Sequence, residues 1–345
     1  MPSQRYSLDS STRYLLVVLT VIGAVSMFGL LTREALAASD KFGIEELYPT
    51  ANDGPVWFLN NEDPDEDDNF LMTSANNIDL EKEDGDDDDD DERVDDERED
   101  SDDNDQDGDV FKLDAETGTQ KHGVRIHADS PDEDKEWKNV EMTGYFKLEK
   151  GNDQFTLIAR QGPTYNDDGG CGAYGYYGML SSDGEAFFKK KLWHHGGYTD
   201  RTAVEENVVD DLDDRWVGIK MVSYDLNDDD DEVELELWVD DGNEENNWKK
   251  VTEYVDDGDW KVGGSDCDKD GDEIIDEGTR GGFRVDDSEF EFKDLSIREI
   301  DAGEGPTGIV ADNEEGGDYD EDGNDGQLVN DEAATRDEEI EDQEQ

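Results

Sequence analysis

The stretch "EVELELWVD", residues 232–240, places apolar and charged side chains at alternating positions. Successive side chains of a β-strand point to opposite faces of a sheet, so this pattern predicts a strand with one face in a hydrophobic core. The apolar face would hold Val233, Leu235, Leu237 and Val239, and the opposite face Glu234, Glu236 and Trp238. No segment shows the 3.6-residue period of an amphipathic helix.

Ten further stretches between residues 110 and 300 have the length and composition of strands. They are residues 110–115, 123–129, 140–149, 153–160, 173–180, 185–193, 215–226, 248–256, 281–287 and 290–300. Gly and Asp turns join them, which favours two antiparallel sheets packed face to face. The region exceeds an immunoglobulin-sized unit, so we predict an all-β jelly-roll sandwich of roughly a dozen strands.

The composition is strongly acidic, with 101 Asp and Glu against 30 Lys and Arg and a formal charge of -71. A surface this negative repels nucleic acid and anionic lipid headgroups, so we expect neither as a partner. Divalent cations are the natural counterpart. Two explanations stay open: adaptation to high salt, and recruitment of divalent ions at particular loops.

The N-terminal residues 1–37 have the features of a signal peptide. Two arginines precede the apolar run 14–31, and Ala35 and Ala37 supply the small side chains that a signal peptidase needs. The apolar run is also long enough to serve as an uncleaved membrane anchor. In either case we expect the rest of the chain to be extracellular or at the cell surface.

Residues 38–345 fall into four segments that differ in their content of acidic and apolar residues. Residues 38–61 contain short apolar stretches and should supply the first strand or strands of the jelly roll. Residues 62–109 are an acidic block that cannot bury apolar surface, so we predict a disordered insertion. Residues 110–300 are the main body, and residues 301–345 are predicted to be a second disordered acidic segment, a C-terminal tail.

The stretch "SDCDKDGDEIIDEG", residues 265–278, matches a calcium loop. Alternate Asp side chains in a tight turn converge on one point, a glycine lets the backbone turn, and a final Glu completes the oxygen ligands of a hard cation. The predicted Ca2+ ligands are Asp266, Asp268, Asp270, Asp272 and Glu277. Asp is abundant here, so a merely solvated acidic turn is the alternative.

A second match to the calcium pattern ends the acidic insertion, where runs of Asp are the default. Its ligands would be Asp103, Asp105, Asp107, Asp109 and Asp114. The chain also has only two cysteines, Cys171 and Cys267. In an oxidising compartment one disulfide between them is the simplest expectation, and two free buried thiols are the alternative.

The stretches "WKNVEMTGYFKL", "RWVGIKMVSYDL" and "FEFKDLSIREI" resemble strand motifs of secreted proteins with a concanavalin A-like lectin/glucanase jelly roll. More narrowly, they are similar to a group of archaeal secreted proteins, as are "FGIEELYPT" and "VWFLN" near residue 50. The resemblance covers about residues 42–300, with the acidic block as an insertion. It implies the jelly-roll fold and an extracellular carbohydrate context, without fixing an activity.

Aromatic and polar groups near strand ends are the predicted carbohydrate-binding residues. Aromatic rings stack on pyranose faces, and Arg or Lys pairs with uronic carboxylates. The predicted residues are Arg160, Tyr176, Trp193, His194, His195, Tyr198 and Arg201. The alternative is that Trp and Tyr side chains on strands belong to the core.

Catalytic residues stay unassigned. Retaining glucanases of this fold use an ExDxxE strand that this chain lacks, so the two carboxylates of glycoside hydrolysis have no assignment. Alginate-lyase-type jelly rolls use Arg, Gln, His and Tyr, although their QxH strand is also absent. These residue types occur as Arg125 with His127, Arg160 with Gln161, and His195 with Tyr198. If the protein is an enzyme, a polysaccharide lyase is favoured over a hydrolase.

Three functional classes follow. The first is an exported, calcium-stabilised jelly-roll protein that binds polysaccharide or glycan at the cell surface. The second is a polysaccharide lyase or glycoside hydrolase acting on acidic glycans. The third is a noncatalytic cation-binding surface or matrix protein, in which the sandwich is only a scaffold.

Overall fold

The fold is given by a computed structural model, which describes residues 38–60, 67–73, 81–82, 110–114, 124–132, 134–151, 154–163, 171–193, 197–210, 212, 214–227, 232–241, 246–260, 274–286 and 288–306. Within these ranges the named elements are strands, apart from one 3-10 turn at Ala302–Glu304. The predicted all-β class is therefore confirmed.

Fifteen strands form in the described ranges. They are β1 (Val56–Phe58), β2 (Phe70–Thr73), β3 (Glu81–Lys82), β4 (Phe111–Asp114), β5 (Val124–Asp129), β6 (Val140–Lys150), β7 (Gln154–Gln161), β8 (Gly175–Ser181), β9 (Ala186–Lys191), β10 (Thr202–Glu205), β11 (Trp216–Asp225), β12 (Val233–Asp240), β13 (Lys249–Asp256), β14 (Arg280–Val285) and β15 (Glu289–Glu299). All eleven strands predicted from the alternation are present, each with ends within two residues of the prediction.

The strands form two antiparallel sheets. The eight-stranded sheet runs β13-β12-β11-β6-β15-β4-β3, with β1 paired to β15, and the seven-stranded sheet runs β10-β9-β8-β7-β14-β5-β2. Phe146 of the first sheet stacks on Phe155 of the second with ring centroids 4.9 Å apart, so the two inner faces meet directly. The predicted two-sheet antiparallel jelly-roll sandwich is confirmed.

The strand β12 shows why the core forms where it does. Val233, Leu235 and Leu237 are fully buried in the core between the sheets, as their alternation predicts. Trp238 and Glu236, on the opposite face, are buried too, because residues 42–48 pack across them. The sequence predicts the two faces of β12 but not that the second face would be covered.

A buried ion cluster fastens this N-terminal segment to the eight-stranded sheet. The carboxylate of Glu141 on β6 accepts hydrogen bonds from Lys220 Nζ at 2.7 Å and pairs with Arg298 Nη2 at 2.8 Å. It also accepts from the backbone N–H groups of Leu47 and Tyr48 at 3.0 and 3.1 Å. Residues 38–61 therefore contribute one strand, β1, and a covering segment.

Three short strands were not predicted. β2 and β3 lie inside the block 62–109 that was predicted as one disordered insertion, and they add edge strands to the two sheets. β10 pairs with β9 through an irregular register, and its side chains are half-buried or exposed, so it has no alternating apolar pattern.

Several sequence predictions fall outside the described residues, among them the signal peptide and most of the C-terminal acidic segment. None of the described residues belongs to a helix that is long and apolar enough to cross a membrane. The described residues contain no free cysteine thiol. Cys267 lies outside them, so the bridge to Cys171 stays a prediction.

Candidate functional site

The outward side of the seven-stranded sheet carries a group of cationic, aromatic and amide side chains. Alternation places them there, because their neighbours Val124, Ile126, Phe188, Phe283 and Val285 point into the core. We call this group the basic face. It consists of Arg125, His127, Gln161, Tyr177, Lys189, Lys191, Tyr198 and Arg284.

Tyr198 lies at the centre of the basic face. Arg284 Nη1 donates a hydrogen bond to its hydroxyl at 3.1 Å, and Lys191 bonds to the same hydroxyl. The ammonium groups of Lys191 and Lys189 lie 5.0 and 5.7 Å from the centre of its ring. The ring also packs edge-on against Tyr177, with centroids 5.6 Å apart. One phenol therefore joins three cations and a second ring.

These cations change the acidity of Tyr198. Burial by itself would raise the pKa of the phenol, but Lys191 and Arg284 outweigh burial and hold that pKa below its ordinary value of 10.0. The same crowding affects the lysines, because burial lowers the pKa of both Lys189 and Lys191. The basic face therefore favours negative charge, on Tyr198 or on a ligand.

His127 and Gln161 form the polar floor beside Tyr177. His127 Nδ1 and Gln161 Oε1 are 2.9 Å apart, and both side chains are buried. Burial lowers the pKa of His127 to about 4, so the imidazole is neutral at physiological pH. Gly282 on β14 leaves the room for this pair, since a Cβ there would lie 2.7 Å from Gln161 Oε1.

One polar atom of the floor has no partner in the described part of the protein. The hydroxyl of Tyr177 is buried and makes no hydrogen bond there, although most buried polar atoms have a partner. Cross-strand pairing sets Tyr177 between Lys189 of β9 and Ile158 of β7. A ligand or ordered water on this face would satisfy it.

The residues predicted to bind carbohydrate lie in several places. Tyr198 belongs to the basic face. Arg201 lies at its border, where its guanidinium carbon is 4.3 Å from the centre of the Phe187 ring and one nitrogen is 3.0 Å from Glu185. His194 and His195 lie outside the described residues.

The other three predicted carbohydrate-binding residues have structural roles instead. Arg160 is fully buried and pairs with Asp225 at 2.9 Å. The hydroxyl of Tyr176 donates to buried Asp256 at 2.8 Å, and Trp193 packs in the core between the sheets. Buried side chains with internal contacts are not available to a glycan, so we exclude them from the site.

Most predicted metal ligands lie outside the described residues. This holds for Asp266, Asp268, Asp270, Asp272, Asp103, Asp105, Asp107 and Asp109. Glu277 is exposed and lines a groove of about 630 Å³ with Glu136 and Glu299. Asp114 is the last residue of β4, where its backbone pairs with Glu289. The two calcium loops therefore stay predictions.

A separate carboxylate cluster lies on the eight-stranded sheet, where carboxylate oxygens of Glu234, Glu236 and Glu253 are within 4.8 Å of one another. Lys250 already bridges Glu236 at 3.2 Å and also pairs with Glu253. Burial, then Glu253 and Glu236, raise the pKa of Glu234 to about 7. The positive charge of Lys250 and protonation of Glu234 both reduce the repulsion among the three carboxylates, so the cluster does not require a metal ion.

Lys189, Lys191 and Arg284 belong to the site and were not predicted from the sequence. The sequence does contain a signal for the two lysines, because the stretch "FFKKK" puts Phe187, Lys189 and Lys191 on one face of a strand. Cations at alternate positions of a strand are unexpected in a chain this acidic. The sequence does not tell that β9, β14 and β5 belong to one sheet.

No family model and no curated protein matches the sequence. Solved structures with a similar arrangement include a protein of unknown function with a galectin-like fold from Bacillus subtilis, at 8% identity and a TM-score of 0.44, covering 73% of this chain and 98% of the other. They also include the carbohydrate binding module CBM66 from Bacillus subtilis, at 14% identity and a TM-score of 0.33, covering 55% and 86%.

A third similar structure is the marine PL-14 alginate lyase from Aplysia kurodai, at 8% identity and a TM-score of 0.36, covering 56% of this chain and 84% of the other. Likenesses this remote carry no argument about the site. The two-sheet sandwich is established by the strand pairing of the protein itself.

Proposed function

We propose that the protein binds polysaccharide or glycan on the basic face. The supporting observation is the convergence of Arg284, Lys189 and Lys191 on the phenol of Tyr198, beside the buried pair of His127 and Gln161. Aromatic rings pack against the apolar faces of sugars, while amide, imidazole and cationic groups hydrogen-bond to hydroxyl and acid groups. This combination of groups is suited to binding a sugar.

The test is retention on a panel of polysaccharides, with alginate, pectin, glucan and host exopolysaccharide as the ligands. We expect the wild-type chain to bind at least one of them, and Tyr198→Phe to bind it about tenfold more weakly, because hydrogen bonds to charged donors contribute about 1.5–3 kcal/mol. Tyr224→Phe, on the other sheet, is the matched control. Absence of binding to every glycan would favour the scaffold class and reject this proposal.

A second candidate function is eliminative cleavage of an acidic polysaccharide. It is favoured by the lowered pKa of Tyr198, which makes a phenolate more accessible than in free tyrosine. That phenolate would take the proton next to a uronate carboxylate, the C4–O4 bond would break, and the proton would pass to the leaving oxygen. The product carries a C4–C5 double bond.

Ultraviolet absorbance of the unsaturated product separates cleavage from binding. A lyase would generate that absorbance with wild-type protein and lose it with Tyr198→Phe. If the protein retains the glycan and no new absorbance forms, glycan binding is supported and lyase activity is rejected.

We also propose that the loop 265–278 binds Ca2+. The support is its ligand spacing, together with buried contacts at Ile275, whose N–H donates to the Tyr176 hydroxyl and whose carbonyl accepts from Arg160. Calorimetric titration with CaCl2 should show a site that weakens in the double variant Asp268→Ala and Asp270→Ala. Identical binding by that variant would remove the loop as a ligand.

Export to the cell surface is part of the same proposal and is supported by the sequence of residues 1–37. Fractionation of the source cells, with mass spectrometry of the mature N-terminus, tests it. A cleaved chain beginning after Ala37 would indicate secretion, and an intact membrane-bound chain would indicate anchoring. Recovery in the cytoplasm would reject export.

A further inference from the structure

The basic face is positively charged in a chain whose formal charge is -71. We infer that its ligand is an anionic polysaccharide, a sugar chain that bears carboxylate or sulfate groups. The inference rests on the proposed glycan binding and adds the substrate class. Arg125 and Lys189 are assigned as residues that determine this specificity.

The cations on and around the basic face differ in whether they form ion pairs. One arginine of the face has an acidic partner, since Arg284 pairs with Asp286. Two arginines outside the face are also paired, Arg280 with Asp129 and Arg201 with Glu185. Arg125, Lys189 and Lys191 form no ion pair within the described parts of the chain. Three such cations on one side of one sheet are notable in a sequence with 101 acidic residues.

Burying several cations close together on the basic face is energetically unfavourable. Lys191 is only 2% exposed, and Arg125 and Lys189 are half-buried. Burial lowers the pKa of Lys191, and the positive charges of Arg125 and Arg284 lower it further. Cations that are buried together repel one another and lose hydration, so an anion placed among them is stabilised strongly.

The basic face extends across several strands of its sheet. Arg125 is on β5 and Lys189 is on β9, with β14, β7 and β8 between them. Four inter-strand spacings put the backbones of these two residues about 19 Å apart, and the side chains of Lys189, Lys191 and Arg284 gather around Tyr198. An anionic chain laid across the strands meets the cations in turn, whereas a single small ion contacts only part of the set. The dimensions therefore fit a polymer.

The test uses glycans that differ only in charge. Calorimetry in 0.15 M NaCl, which brings the screening length to about 8 Å, compares polygalacturonate and alginate with their carboxyl-reduced neutral forms, and dextran sulfate with dextran. We expect at least one anionic polymer to bind at least tenfold more tightly than its neutral counterpart. The carboxylate and sulfate arms identify which acid group is recognised.

Variants assign the effect to the face. Arg125→Gln and Lys189→Gln should each weaken binding of the anionic polymer about fivefold to tenfold and leave the melting temperature nearly unchanged. Lys249→Gln, an equal loss of charge at an exposed position on β13, should have no effect on binding. An unchanged affinity in both face variants would overturn the assignment.

The failures are distinguishable. Equal affinity for the charged and neutral forms of each polymer would overturn the inference and leave glycan binding intact. No binding of any polymer, charged or neutral, would reject the proposed function together with the inference.

Discussion

At the scale of the residue, the environment of a side chain decides its chemistry more than its type does. Tyr198 and Tyr176 are both tyrosines on or beside the seven-stranded sheet. Tyr198 meets cations, which lower the pKa of its phenol, while Tyr176 meets the carboxylate of Asp256, and burial with that carboxylate raises its pKa well above 10.0. Only Tyr198 is suited to bind or carry negative charge.

The first prediction is that Tyr198 ionises at lower pH than free tyrosine. In an ultraviolet difference titration of the wild-type chain, one tyrosine should ionise ahead of the others, because Lys191 and Arg284 stabilise the phenolate of Tyr198. Tyr198→Phe should remove this early part of the curve. An unchanged curve in the variant would show that the early phenolate belongs to another residue.

The second prediction concerns the room that Gly282 provides. Gly282→Ala would place a Cβ 2.7 Å from Gln161 Oε1, so the contact between Gln161 and His127 must shift. The atom that must move is the far end of a flexible side chain, so we expect a loss of at most about 1 kcal/mol of unfolding free energy, from the disturbed hydrogen bond, together with weaker glycan binding. Gly303→Ala is the control, since its nearest neighbour would be 3.3 Å away. If the Gly282 variant and the wild type bind glycan with equal affinity, the pair of His127 and Gln161 does not take part in glycan recognition.

At the scale of the element, strand β6 contains both a buried and a surface carboxylate. Glu141 is buried under the N-terminal segment with Lys220 and Arg298, whereas Glu149 pairs with Lys147 at the surface. Lys220 and Arg298 hold the pKa of Glu141 below its ordinary value of 4.5 in spite of burial. The segment is thus fastened by an ion cluster that water does not reach.

The third prediction compares these two carboxylates. Glu141→Ala removes the buried carboxylate that Lys220 and Arg298 share. Lys220 then has no ion pair within the described residues, while Arg298 keeps Glu46 at 3.2 Å, so we expect unfolding free energy to fall by about 3–5 kcal/mol in urea denaturation. Glu149→Ala should cost at most about 1 kcal/mol. The folded pKa of Glu141 is lowered, so its contribution is present above about pH 4.5 and is lost as pH falls through the folded value. Equal costs for the two variants would contradict the buried cluster.

The fourth prediction concerns Glu234 on β12, where the sign is opposite. Its folded pKa of about 7 exceeds the ordinary 4.5, so the folded state holds an extra proton between those values and stability falls as pH rises through that window. Glu234→Gln should therefore raise the unfolding free energy at pH 8, by on the order of 1 kcal/mol after solvent screening, and change it little at pH 4. A stabilisation that is equal at both pH values would argue against ionisation as its cause.

At the scale of the whole molecule, a chain of net charge -71 repels itself and repels anions at long range. The cations of the basic face attract an anion only at short range, where they oppose the repulsion from the rest of the chain. Salt screens the long-range repulsion beyond about 10 Å at 0.1 M, while contacts within the face are affected less. Recognition of an anionic glycan by such an acidic protein is therefore physically consistent at moderate salt.

The fifth prediction follows from the same charge. The melting temperature should rise continuously with NaCl, because screening reduces repulsion within the folded state. CaCl2 at constant ionic strength should add a shift that grows with the logarithm of concentration above the dissociation constant, as a specific site requires. Differential scanning calorimetry measures both effects. A calcium response identical to that of NaCl at matched ionic strength would leave no specific ion site.

Local alternation of apolar and polar side chains is enough to place the strands. Alternation along "EVELELWVD" and its ten companions is a local property, and it predicted eleven strands and the two-sheet sandwich. The carbohydrate-binding residues were predicted less well than the strands. Alternation indicates that two side chains share a face of a sheet, but not whether that face is exposed to solvent. Arg160, Tyr176 and Trp193 are buried, while Tyr198 belongs to the basic face.

Long-range packing sets which sheet face is covered and which cations lie together. Residues 42–48 close the outer side of β12, and the order β9-β8-β7-β14-β5 brings Lys189, Lys191, Arg284 and Arg125 to one side of one sheet. Both arrangements join residues far apart in the chain through strand pairing and packing. The physical reason is that side-chain direction is set within a strand, whereas burial and charge environment are set by what lies beside and above it.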